Sequence, residues 1–279
     1  MVNEVILGSF YSQLTAGVIE CGMTLDESIA CARAHGIMGA DLAAADFQKM
    51  PAKELAAILA SHDIIVASTH DSFACDYDTK ASLEASFERV KRDMDDARAI
   101  GCPYFMIVPL PPKYHCPERQ NEFVLGCREL FLRLAEYGKE IGIQATVENF
   151  SLRERPFSTY EDLDWIFANC PEMKFTYDSG NFPLVALNEI EALHRYVDKT
   201  VYCHLKDLEI VPYSTILRDG VYYEGPALDD GFVKNDEAVR ILAANGYNGC
   251  LTIEICSGIN VYEKLLLSAD RYTEKLKTL

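Results

Sequence analysis

The strongest constraint in this chain is an alternation. Short apolar runs, many of them β-branched, recur along it and are separated by longer amphipathic stretches. The runs cover residues 5–8, 37–41, 64–68, 104–108, 143–147, 174–178, 200–204 and 250–254. They are continuous and short, which predicts strands covered on both faces. The stretches between them carry helix starts. Thr24-Leu-Asp-Glu27 has the form of a capping box and opens a helix that ends near His35-Gly36. Pro51 opens the next, as prolines at a first helical position do, and Ser158-Thr159-Tyr-Glu161 opens another. Across 79–100 the apolar residues Leu83, Phe87, Val90, Met94 and Ala97 fall three or four apart, giving one apolar face. A further helix runs to Ile141, and 233–245 and 261–277 close the series.

Eight such units over 279 residues average about 35 residues each, close to a βα repeat. No antiparallel hairpin is read between them, so the sheet is expected to be parallel throughout. An open doubly wound sheet would be expected to show a glycine-rich G-x-G-x-x-G turn after its first strand, and Gly8-Ser-Phe-Tyr-Ser-Gln13 is not one. The expectation is an α/β fold, a single-domain (β/α)8 TIM barrel over residues 1–279. Apolar residues make up 49% of the chain, enough for a large core, yet no run of about 18 of them suggests a membrane span. The formal charge of −17 argues against nucleic acid or anionic lipid as a partner, since both bind through Lys and Arg. A small molecule is expected instead. The opening residues carry Glu4 and no basic lead-in, and the ten cysteines form no C-x-x-C pair. Reduced thiols in a cytoplasmic protein are therefore expected.

In such a barrel the chemistry sits where strands end. Four successive predicted strands finish on metal-ligand types, at Glu148, Asp178, His204 and Glu254. Side chains alternate along a strand, so Thr146, Thr176, Tyr202 and Thr252 point into the barrel beneath them, where they are expected to orient the ligands. Val147, Tyr177, Cys203 and Ile253 then face the helices. Taken alone, each terminal residue reads as a salt-bridged acid or a core histidine. Together, three carboxylates in one mouth repel one another unless a cation sits among them. Oxygen donors with one nitrogen suit Mn2+ best, with Mg2+, Co2+ or Zn2+ as alternatives. Two open positions on such an ion would chelate a hydroxy-carbonyl group, and Glu148 and Glu254 would take and return the proton of the neighbouring carbon. Arg153 and Lys206 are candidates for a phosphate or carboxylate, and His115, in a proline-rich loop after the fourth strand, for a general acid or base. Phe10, Tyr11, Phe73, Phe150, Phe157 and Phe182 follow strand ends and could wall a pocket. Ser257-Gly258 begins the last βα loop, where some barrels hold phosphate.

The segments Val147-Glu148-Asn149, Tyr177-Asp178-Ser-Gly-Asn181, His204-Leu-Lys206-Asp207 and Ile253-Glu254 resemble the xylose isomerase-like TIM-barrel superfamily, the sugar phosphate isomerase/epimerase group. The likeness runs along the whole chain. It implies that Glu148, Asp178, His204 and Glu254 hold the metal, that Glu148 and Glu254 are the acid/base pair, and that His70 contacts substrate. Two features depart from it. Asn181 stands where many members have His, and the segment 208–231 is longer than the usual compact turn, as a substrate lid or subunit contact would be. Asn181 is kept as a substrate-binding candidate. The branch acting on DNA is set aside, because it needs more histidines and a basic face.

The function expected is isomerisation or epimerisation of a keto-sugar or related polyol, by proton transfer through an enediolate. The alternative is a lyase or dehydratase that shares the first step, including cleavage of 3-keto-C-glycosides with a small partner subunit. A barrel that binds sugar without catalysis is the third reading. A homo-oligomer is expected, with a hetero-oligomer as the variant of the lyase reading.

Overall fold

The computed structural model describes residues 5–256 and 258–278; Ser257 and Glu4 lie outside the described residues. The chain begins with β1 (Ile6–Phe10), three short helices α1 (Tyr11–Leu14), α2 (Ala16–Cys21) and α3 (Leu25–Ala34), then β2 (Ile37–Ala43) and α4 (Ala52–Ser61). It continues through β3 (Ile65–Ala74), α5 (Lys80–Ala99), β4 (Tyr104–Leu110), α6 (Gln120–Ile141), β5 (Gln144–Glu148) and α7 (Tyr160–Asn169). Next come β6 (Lys174–Asp178), α8 (Asn181–Leu184), α9 (Glu189–Tyr196) and β7 (Thr200–Lys206). Three short strands follow, β8 (Glu209–Val211), β9 (Ile216–Arg218) and β10 (Val221–Glu224), before α10 (Asn235–Ala244), β11 (Cys250–Glu254) and α11 (Val261–Leu276). Eight strands close into a parallel barrel in the order β1-β11-β7-β6-β5-β4-β3-β2. The predicted TIM barrel is the observed one.

Local chemistry explains the elements. At α3 both halves of the capping box form, Glu27 N–H to Thr24 Oγ1 at 3.2 Å and Thr24 N–H to Glu27 Oε2 at 2.8 Å. At α7 the cap falls one residue later than the Ser158 start, because Thr159 accepts from Asp162 N–H while Ser158 turns inward to the loop carbonyls of Arg153 and Arg155. Pro51 stands just before α4 and not inside it. Strand β3 runs six residues past the apolar run that announced it. Asp71 continues the ladder there because Arg89 clamps its carboxylate with two hydrogen bonds, 2.8 and 3.0 Å long, so a buried charge is tolerated in a strand.

The expectation of an exclusively parallel sheet is corrected beyond β7. Strands β8, β9 and β10 form a small antiparallel sheet in the order β8-β10-β9. Arg218 pairs with Val221 across the two-residue turn Asp219-Gly220, both at positive φ (49° and 82°), the conformation a primed turn requires. Asp207 anchors the excursion. Its carboxylate accepts backbone N–H groups from Leu208, Asp229, Gly231 and Val233, at 2.8 to 3.0 Å. No helix among the described residues is long and apolar enough to cross a membrane. All ten cysteines are free thiols.

Candidate metal centre

At the carboxyl ends of β5, β6, β7 and β11, Glu148, Asp178, His204 and Glu254 each bring a donor atom to within 4.8 Å of the others. Ligands on opposite sides of one divalent ion stand about 4 to 5 Å apart, so this spacing suits a single ion. The barrel order places two strands, β6 and β7, between Glu148 and Glu254, so the acids approach from different sides. His204 is fully buried, with Nδ1 turned to the acids, 2.7 Å from Glu148 Oε1 and 3.7 Å from Glu254 Oε2. An oxygen-rich set with one imidazole fits Mn2+, Mg2+, Co2+ or Zn2+ on donor chemistry.

The neighbouring motif residues hold these side chains in place. Asn149 accepts from Asp178 N–H and donates to Asp178 O, tying the end of β5 to the end of β6. Asp178 Oδ1 accepts the N–H groups of Gly180 and Asn181, both at 2.9 Å, leaving Oδ2 to face the mouth. There Lys206 Nζ donates to Asp178 Oδ2 at 2.7 Å, to Glu254 Oε1 at 2.7 Å and to Asn181 Oδ1 at 3.0 Å. Lys206 lies two residues beyond His204 and so faces the same interior. It was expected near substrate; here it also balances two of the three acids. Gly180 makes this possible, since a Cβ at that position would stand 2.6 to 2.8 Å from the Lys206 stem.

The layer beneath differs from the expectation. Thr176 donates to Thr146 Oγ1 at 2.7 Å, and the Tyr202 and Thr252 hydroxyls meet at 2.6 Å. These hydroxyls satisfy one another instead of the carboxylates above them, because the stagger of the strands brings neighbours on adjacent strands within reach. The outward set is as expected, with Val147, Tyr177, Cys203 and Ile253 packed in the apolar core.

Asp41, at the end region of β2, was not expected to matter. Its buried carboxylate lies 2.6 Å from His70 Nδ1 and 3.4 Å from His204 Nε2. Burial alone would raise its pKa, but the charge on His70 and hydrogen bonds from both imidazoles hold it down to about 2. The same pairing, working against burial, raises His70 and holds His204 well above the ordinary imidazole range. Burial pushes the Glu254 carboxyl up to about 7; Lys206 pulls it down and Asp178 adds to the rise. Phe10 covers both histidines, with ring centroids 5.4 Å from His70 and 4.8 Å from His204.

The remaining candidates are placed as follows. Asn181 joins the network through Lys206 and donates to Asn149 O. Arg153 is exposed and braces its loop on Val185 O, and His115 hydrogen-bonds Tyr77 at 2.9 Å and packs on Phe123. Neither touches the three acids and the histidine of the centre. Phe73, Phe150, Phe157 and Phe182 are buried packing residues. A cleft of about 640 Å³ lies at the opposite end of the barrel, between Val5, Arg33, Tyr247 and Lys277, and shares no residue with the centre.

A closed eight-stranded parallel barrel with three carboxylates and a histidine at its carboxyl mouth defines the class, a TIM barrel with a candidate divalent-metal site. The chain belongs to the xylose isomerase-like TIM barrel family, whose model matches residues 29–274. Among solved structures it is similar to the IOLI protein with a bound zinc atom, at TM-score 0.73 and 16% identity, covering 98% of each chain. It is similar to a sugar phosphate isomerase/epimerase from Parabacteroides distasonis, at TM-score 0.71 and 14% identity over 97% of this chain and 98% of that one. It is also similar to the probable 3-DHS dehydratase AsbF from Bacillus anthracis, at TM-score 0.71 and 13% identity over 96% and 99%. At these identities the likeness speaks for the fold. A search of curated proteins gives no match.

Proposed function

We propose that this chain is a divalent-metal-dependent isomerase or epimerase of a keto-sugar or related polyol, and that Glu148 and Glu254 move the proton. The observation that carries the reading is the convergence of four donor atoms within 4.8 Å at the barrel mouth. Glu148, Asp178, His204 and Glu254 would hold the ion, with Mn2+ the first choice. When bound, such an ion supplies a Lewis acid for a carbonyl oxygen. The chain's own residues do the rest. Glu254, whose carboxyl burial brings to about 7, is suited to exchange a proton near neutrality. Glu148, brought in from the other side of the mouth, is suited to return it. His70, whose imidazole Asp41 raises above its ordinary range against the pull of burial, is suited to offer an N–H to a substrate oxygen. Phe10 packs its ring against both imidazoles and forms an apolar wall beside them.

Elimination is the second reading, favoured by the buried Lys206 ammonium beside Glu254, which places an acid next to the base. It would make the chain a lyase or dehydratase of the same substrate class, a keto-sugar or glycoside. Turnover of a keto-sugar panel in deuterium oxide separates the two. Epimerisation puts solvent deuterium on the substrate carbon, whereas elimination releases an unsaturated product. The E254Q variant is expected to fold normally, judged by circular dichroism, and to lose at least about a thousandfold in kcat. Activity that persists in this variant, or after complete metal removal, would refute the proposal.

A further inference from the structure

The loop between β5 and α7 and the small sheet after β7 meet at the mouth, and each brings an arginine that has no acid partner among the described residues. Arg218, on β9, donates from Nε to Ser151 O at 2.9 Å and from Nη1 to Leu217 O at 2.8 Å. Arg155 lies in the loop itself, with its guanidinium carbon 5.9 Å from the Phe150 ring centre and its Nε buried without a hydrogen-bond partner. The loop is fixed from within. Arg155 N–H donates to Leu152 O, and the buried Ser158 hydroxyl holds the carbonyls of Arg153 and Arg155. Phe150 is two residues beyond Glu148, so the loop that carries Arg155 starts at the carboxyl end of β5, beside the candidate centre.

The missing partner is informative in a chain of charge −17. Most arginines on the helices find carboxylates, as Arg128 does with Asp162 and Arg195 with Asp164, while Arg33, Arg92 and Arg98 form no ion pair among the described residues. Among the described residues no carboxylate lies within ion-pair distance of Arg155 or Arg218. Burial lowers the Arg155 pKa, the Glu148 charge partly offsets this, and the charge of Arg218, which is hydrogen-bonded to the same loop at Ser151, adds to the lowering. Two repelling, half-buried arginines are unfavourable unless an anion from elsewhere comes between them. Their planar, multi-donor heads suit a carboxylate or a phosphate better than a neutral hydroxyl.

We infer that Arg155 and Arg218 form a seat for an anionic group, a carboxylate or phosphate monoester, carried by the substrate whose carbonyl end meets Glu148 and Glu254. The inference rests on reading that centre as the place of reaction. It narrows the substrate to a charged keto-sugar and assigns the small sheet a specificity role, because Arg218 reaches the site only through that sheet.

The test uses the full chain loaded with Mn2+ and isothermal titration with D-fructose, D-fructose 6-phosphate and 5-keto-D-gluconate. One of the two anionic compounds is expected to bind at least about tenfold tighter than D-fructose, and which one tells phosphate from carboxylate. R155M and R218M should each abolish that preference, R155K should retain part of it, and Mn2+ affinity should stay within about threefold in all three. Equal or weaker binding of both anions overturns the inference, and so does a preference that survives R155M and R218M. If R155M instead tightens Mn2+ and leaves sugar binding unchanged, Arg155 is only a countercharge to Glu148, and the seat does not exist. Inorganic phosphate and acetate, titrated without Mn2+, keep the two readings apart. Arginine-dependent binding of either in a chain that fails to take up Mn2+ would remove the metal centre and leave the anion seat standing.

Discussion

Asp41 shares one carboxylate between two imidazoles, one of them a proposed metal ligand, and this makes it the residue most able to set the state of the centre. With Nδ1 of His204 turned to the acids, its Nε2–H is left to donate to Asp41. A carboxylate in that position fixes the ring and raises its basicity as a ligand. Replacing Asp41 by Asn should therefore lower Mn2+ affinity about 10- to 100-fold, measured by titration of the metal-free protein. Unchanged affinity would mean that Asp41 serves His70 alone. The four strand-terminal donors that converge at the mouth were legible in the sequence because their pattern repeats through four consecutive units. Asp41 also ends an apolar run, but Gly39 stands two residues before it, and a single strand-terminal acid has many ordinary explanations. The hydroxyls of Thr146, Thr176, Tyr202 and Thr252 were read correctly as inward-facing. Their partners were not legible, since these depend on the stagger between strands, which no single strand encodes.

Among the elements, the apolar runs located every barrel strand but stopped early wherever a strand continued through charge. In β3 the continuation depends on Asp71 and its clamp by Arg89 from α5. That clamp strains its neighbour. Burial and the Asp71 carboxylate push the Asp93 carboxyl of α5 up to about 6, with Arg89 only partly opposing them. A carboxyl raised in the folded state stabilises the fold below its unfolded pKa, near 4, and loses that contribution as pH rises through 6. D93N should accordingly gain on the parent chain between pH 4 and 7, by about 1 kcal/mol at neutrality after solvent screening, in urea titrations at several pH values. A constant difference across that range would rule out the ionisation as its cause. The small sheet was missed although Asp219-Gly220 is a hairpin signal, because its strands are only three or four residues long and sit in a polar stretch. The turn before α8 makes a sharper demand. G180A should force the Lys206 stem aside, breaking its contacts with Asp178 and Glu254, and should destabilise the chain by about 1 to 3 kcal/mol in thermal or urea unfolding. An unaltered midpoint would show that the turn relaxes freely.

At the scale of the whole molecule, the question is what balances the acids gathered in the barrel mouth. Glu148, Asp178, Glu254 and Asp41 face Lys206 and the imidazoles of His204 and His70. Two arrangements satisfy the same acids. In one, Lys206 and a protonated His204 supply the positive charge; in the other a divalent ion does, with His204 neutral and Lys206 free to turn toward substrate. A metal that binds only the folded chain stabilises it by mass action, about 2.7 kcal/mol at a hundred times its Kd. For a chain of this size that corresponds to a rise of about 5 to 8 °C in Tm. Mn2+ should produce this rise in scanning calorimetry, EDTA should reverse it, and equal ionic strength from NaCl should not reproduce it. Because the ion must displace the proton of His204, the rise should shrink as pH falls. The combined E148Q and D178N substitutions should abolish the rise while leaving the metal-free chain folded. A flat response to Mn2+ in the parent chain would mean that the ion pairs of Lys206 and His204 are the whole purpose of the cluster, and that this barrel builds a charged network where a metal was inferred.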